Sequence, residues 1–196
     1  ASSLWYLGYA DQARRSIQGA LALARELAIP HIVAFALDSA AWLHLHCQEE
    51  HAMWECLAAL EALANKQGFQ HWVAASTILR GRRLVQQHQE EEGIALMHQG
   101  LAAFRATGAE LGRAQFLSLL VEAHGHIGQL EEGLTLLTEA LTAIHKTGER
   151  QYEADLYRLK GDLLLAQEGQ RQKPVLSPST SLRINSVEGA KVESQK

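Results

Sequence analysis

The chain has 196 residues, 47% of them hydrophobic, which is enough to bury a substantial core in one globular or repeat domain. Its formal net charge of −4 is spread over mixed acidic and basic positions, so there is no broad basic field for a phosphate backbone and nucleic acid is excluded as an expected partner. The two cysteines, Cys47 and Cys56, are too few for a disulfide framework, and with no leader-like segment and no long apolar run a cytoplasmic protein without a membrane span is expected.

In chain order, the first stretch, "ASSLWYLGYADQA", begins in mid-pattern and carries no initiator methionine, which suggests a segment of something longer. A forty-residue repeat then organises the sequence. Connectors "ELAIP", "KQGFQ", "ATGAE" and "KTGER" carry Ala28, Gly68, Gly108 and Gly148 at forty-residue intervals. Small residues recur in register at Ala34, Ala74, Ala114 and Ala154, and again at Ala41, Gly81, Val121 and Gly161. Met53, Gly93 and Gly133 form another mostly small column after Ala13, and Ala20, Leu60, Gly100 and Ala140 a fourth. Larger apolar columns lie between them, such as Ile17, Leu57, Met97 and Leu137.

Within a unit the apolar residues recur every three or four positions, which predicts amphipathic helices, and no strand-like alternation occurs. Each unit breaks near its middle and resumes with acidic residues: Asp11, then Glu49 with Glu50, Glu90 to Glu92, and Glu131 with Glu132. Carboxylates at a helix start are favoured by the positive end of its dipole, and their recurrence in every unit argues against an active site. The expected fold is all-α, with units near 1–28, 29–68, 69–108 and 109–148 and a partial one at 149–168. Each unit is two antiparallel helices of about seventeen residues, stacked as an α-solenoid.

Small residues at relative positions 8, 20 and 27 of each unit, with large apolar ones at 4 and 24, resemble the tetratricopeptide repeat. The units are longer than the usual thirty-four residues, and the signature proline survives only as Pro30. The resemblance implies a right-handed superhelix. The segment "YEADLYRLKGDLLLAQEG", Tyr152 to Gly169, further resembles the carboxyl-terminal repeat regions of large bacterial signalling proteins that carry an ATPase module with a cyclase, kinase or DNA-binding output domain. In that family a groove formed by the first helix of each unit binds protein segments. Transferred by position, the implied groove residues are Phe35, Asp38, Trp42, Leu45 and His46 in the first full unit. Ile78, Arg82 and Gln86 follow in the second, Gln115, Glu122 and His126 in the third, and Arg158 in the fourth. The wall is mixed in charge and lacks the Lys and Arg clamp with which some relatives hold a terminal carboxylate. Arg82, in the basic run "RGRR", leaves an acidic peptide as a possible occupant.

In "LHLHCQEEH", Leu43 to His51, the histidines His44 and His46 are two apart on a helix and diverge, so they are ill placed to share one metal ion. His44 shares a column with Leu84, His124 and Leu164, which reads as a packed position. The pair His124 and His126 repeats the geometry. No nucleophile elbow is present, Cys56 sits mid-helix among apolar residues, and "GHIGQLEEG" lacks the lysine and the preceding strand of a phosphate loop. Neither an enzyme nor a bound cofactor is expected. The leading expectation is a non-enzymatic protein-interaction scaffold; the alternative is a small-ligand or metal sensor using the histidine-rich turns.

From residue 169 onward two prolines and five serines replace the periodicity, which predicts a flexible tail or linker over 169–196. The last helix, with Leu156, Leu159, Leu163, Leu164 and Leu165, would then lack a covering helix and could self-associate.

Overall fold

A forty-residue register in sequence should return as a forty-residue register in the backbone, and the turns carry it. The computed structural model describes residues 1–172 and shows no strand among them. Its helices are α1 (Ser2–Tyr6), α2 (Ala10–Leu27), α3 (Pro30–His46), α4 (Glu50–Gln67), α5 (Gln70–Gln86), α6 (Glu90–Ala106), α7 (Arg113–His126), α8 (Leu130–Thr147) and α9 (Glu153–Gln172), with a 3-10 turn at Arg150–Tyr152 before the last.

Left-handed backbone recurs every twenty residues: Gly8, Ala28, Gln48, Gly68, His88, Gly108, Gly128 and Gly148 all have φ between 53° and 86°. A chain reverses after a helix most readily through one such residue, normally glycine. Gln48 and His88 adopt the conformation against their own Cβ because closing bonds hold them there, and Ala28 does so with its N–H bonded to the Ala24 carbonyl. The N–H groups of Glu49, Gln89 and Gln129 each donate to the carbonyl five residues back, of His44, Leu84 and His124, at 2.9 Å. The next helix opens at once, with Asp11, Glu50, Glu90 to Glu92, and Glu131 with Glu132 in the first turns of α2, α4, α6 and α8. Pro30 starts α3, where its missing N–H costs nothing.

Packing follows the small columns. α3 lies on α4, α5 on α6 and α7 on α8, while α5 also meets α7 and α7 meets α9. Ile17, Leu57, Met97 and Leu137, the large apolar column, are each at most 2% exposed. α5 and α6 cross where Gly81 faces Gly93: a Cβ added at either would lie 2.5–2.6 Å from the other's carbonyl oxygen. Only glycine permits that approach.

The structure departs from the expected units in three places. α7 begins at Arg113, three residues later than the register of α5 predicts, because Gly112 (φ 82°) inserts an extra turn after Gly108. α9 continues through Gly169 to Gln172, so the boundary drawn at 169 falls inside a helix; the remainder of the expected tail, 173–196, lies outside the described residues. Finally, Leu156, Leu159 and Leu163 are buried against the preceding helices, and the uncovered face of α9 consists of Tyr157, Leu164 and Leu165 instead. No described helix is long and apolar enough to cross a membrane.

Candidate functional site

On α3, residues 38, 42 and 46 are spaced by four and therefore share one face, with Phe35 one turn earlier. That face looks into a cavity of about 640 Å³. Across it stand Gln115 and Phe116 of α7, with His71 from the start of α5 between them and Ser2 and Tyr6 of α1 at one side. Two connectors complete the rim, residues 109–112 ahead of α7 and Glu149, Gln151 and Tyr152 ahead of α9.

The connectors are tied together. The Gly112 N–H donates to both oxygens of Glu149 at 3.1 Å, and the Thr147 hydroxyl donates to the same carboxylate at 3.3 Å. Lys146 and Arg113 each approach Glu110 at 3.1 Å. The extra turn at Gly112 is what brings the first connector to the rim. Behind the cavity wall the aromatic rings form a continuous series. Trp5 stacks on His46 at 4.6 Å, Trp42 meets Phe116 at 5.6 Å, and Phe104 touches both Phe116 and His71 at 4.8 Å. Such contacts fix ring orientation as well as burying area.

Burial governs the charges. The Asp38 carboxyl is pushed up to about 6 because its surroundings disfavour the ionised form, and hydrogen bonding from Trp42, one turn on, offsets this only in part. No described cation pairs with it. Burial likewise holds His46 and His71 below the ordinary imidazole value, keeping both neutral at neutral pH. Burial raises the Tyr6 and Tyr152 phenols. Glu110 is lowered, chiefly by its hydrogen bond from Lys146.

The residues named from sequence divide accordingly. Phe35, Asp38, Trp42, His46 and Gln115 come together in this cavity. Arg82, Gln86, Glu122 and His126 line a second, smaller one of about 310 Å³, where Arg82 faces Glu122 at 3.8 Å. Leu45 is half-buried between the second unit's side chains and the core. Ile78 is a correction. It is wholly buried, because Gly100 lets α6 lie directly over it, with only 2.6 Å between the Ile78 Cγ1 and the site of an absent Cβ. Arg158 borders neither cavity and bonds Asp155 and Asp162 on its own helix at 2.7 and 2.8 Å. Sequence reasoning missed Tyr6, Ser2, Phe116 and Tyr152. Extending the register one unit back would have found two of them, since Tyr6 precedes His46 by forty residues and Ser2 precedes Trp42 by forty.

In "LHLHCQEEH" it is His44 that locks the turn. His44 Nδ1 lies 2.6 Å from Glu49 Oε2, and Arg14 Nε donates to the other oxygen at 2.7 Å. One period plus forty residues on, His124 Nδ1 meets Gln129 Oε1 at 2.7 Å and its Nε2 meets His98 at 3.1 Å. The described residues contain no group of three or more side chains placed to hold a metal ion. Both cysteine thiols are pushed up by burial, the opposite of an activated nucleophile.

No protein-family model and no solved structure gives a significant match. An uncharacterized protein of Rhizobium meliloti (strain 1021) is 23% identical over 175 residues, which cover 89% of this chain and 17% of that protein. The chain thus spans about one-sixth of the length of the relative it matches.

Proposed function

We propose that this chain is a non-enzymatic interaction module, a tetratricopeptide-like right-handed solenoid whose inner face receives a segment of a protein partner in the cavity between α3 and α7. The observation that carries the reading is the convergence of α1, α3, α5, α7 and two connectors on one aromatic-walled space. Its volume lies within the range of roughly 300–1,000 Å³ usual for specific binding sites. The side chains there are suited to recognition: rings for contact area, Gln115 and the backbone for hydrogen bonds, and an uncompensated carboxylate at Asp38. None is arranged as a nucleophile with a base within reach. A place inside a larger bacterial signalling protein, with its ATPase or cyclase domain elsewhere, accords with the small share of the relative that the chain spans. The same volume also supports the alternative of a small-ligand sensor.

Selection of a displayed peptide library against the purified chain tests the proposal. Enriched peptides should share a consensus and lose binding to a Trp42→Ala, Gln115→Ala double variant that keeps its helical circular dichroism. Absence of enrichment, or peptides indifferent to that variant, would reject the cavity as an interaction site.

A further inference from the structure

Of the three carboxylates around the cavity, two are already matched. Glu110 is paired with Arg113 and Lys146, and Glu149 spends its oxygens on the Gly112 N–H and the Thr147 hydroxyl. Asp38 forms no ion pair with a described residue, and neither lysine nor arginine lines the space. Beside it stand the rings of Trp42 and Phe35. Phe35 is 62% exposed at the mouth, an aromatic that the fold itself leaves uncovered. A lone half-buried carboxylate beside the open ring of Phe35 and the cavity-lining edge of Trp42 is the arrangement that recognises an organic cation, through charge and through the negative face of the rings. An acidic or neutral group would leave the Asp38 charge uncompensated.

We propose that the occupant of this cavity is a basic side chain, a lysine or arginine carried by a partner's polypeptide segment, with Asp38 as its counter-ion and Trp42 and Phe35 as the walls that cover its stem. The inference rests on the interaction reading above and adds the chemistry of the partner. The remaining titratable groups around the space are His46, His71, Glu110, Glu149, Tyr6 and Tyr152. Since burial holds both imidazoles neutral, none of these supplies a competing positive charge at neutral pH.

The test is a titration of the isotopically labelled chain with capped pentapeptides, acetyl-Ala-Ala-Xaa-Ala-Ala-amide, carrying Lys, Arg, Gln or Glu at the centre, followed by nuclear magnetic resonance at the Trp42 indole. The Lys and Arg peptides should shift that resonance with at least about tenfold higher affinity than the Gln peptide. Asp38→Asn should reduce them to the Gln level while the chain stays folded, and Asp38→Glu should restore part of the preference. Equal affinity for Gln or Glu peptides, or a preference unaffected by Asp38→Asn, overturns the cation inference and leaves the interaction reading standing. If no peptide of any charge perturbs Trp42, both fall.

Discussion

Alanine at position 81 would carry a methyl carbon 2.5 Å from the Gly93 carbonyl oxygen, 2.6 Å from Met97 Cγ and 2.8 Å from Met97 N, where ordinary contact begins near 3.4 Å. Two of those atoms belong to the α6 backbone and cannot rotate away. α6 must therefore retreat by about 1 Å, which thins the contacts of every side chain along the crossing. Ile78, Met97 and Leu101, each at most 1% exposed, lie on that seam. Overpacking of this kind costs about 1–3 kcal/mol, and the backbone clash argues for the upper end. Alanine's better helix propensity returns about 1 kcal/mol. Gly81→Ala should thus lose about 2 kcal/mol and about 4–8 °C in Tm. Gly161→Ala and Gly19→Ala are the controls, since an added Cβ meets nothing within 4 Å at either. Both should gain up to about 1 kcal/mol. Urea and thermal unfolding followed by far-ultraviolet circular dichroism reads all three. A Gly81→Ala chain at or above parental stability would refute the claim that the α5–α6 crossing requires a bare backbone.

Asp38→Asn is expected to stabilise the chain above about pH 6 and to do little near pH 4. The folded protein holds the Asp38 proton up to about 6 while the unfolded chain releases it near 3.8, so stability falls as pH rises between the two. Removing the charge recovers up to about 3 kcal/mol above that window, as urea midpoints near pH 4 and pH 7.5 will show. Burial lowers His46, His71 and His98, so the unfolded chain takes up protons that the folded one refuses, and stability should fall as pH drops below about 6.5. His98→Gln should make that decline shallower in a pH series of melting curves; an unchanged slope would discount the His98–His124 contact. Glu149→Ala leaves the Gly112 N–H without its acceptor and should cost about 1–2 kcal/mol, while limited proteolysis should speed cleavage between Thr107 and Gly112. A cleavage rate equal to the parent's would show that the carboxylate does not hold the rim.

Helix positions and their turns were legible because they depend on neighbours close in sequence. The acidic starts at Asp11, Glu50, Glu90 and Glu131 and the glycines at 68, 108 and 148 state a local preference that no distant contact overrides. His44 is a half-buried helix-end residue, as its place in the register implies, and its bond to Glu49 and through it to Arg14 of another helix is visible only in three dimensions. The lining of the cavity was half legible. Positions on one helix face, such as Asp38, Trp42 and His46, follow from the period of the helix.

Neighbouring helices decided the rest. Ile78 stands forty residues after Asp38, in the same register position, yet Gly100 admits α6 over it, whereas the residue equivalent to Gly100 in the preceding unit is Leu60 and Asp38 stays open to the cavity. Tyr152 and Gly112 reach the same space through connectors whose path is set by the Glu149 carboxylate, thirty-seven residues from its partner. Sequence by itself determined the all-helical class and the phase of the turns spaced by twenty residues, though not the extra one at Gly112, since those are properties of twenty-residue stretches. Only tertiary structure determined which faces are covered and that one carboxylate among aromatic rings is left without a counter-charge, because burial and pairing depend on how closely separate helices approach.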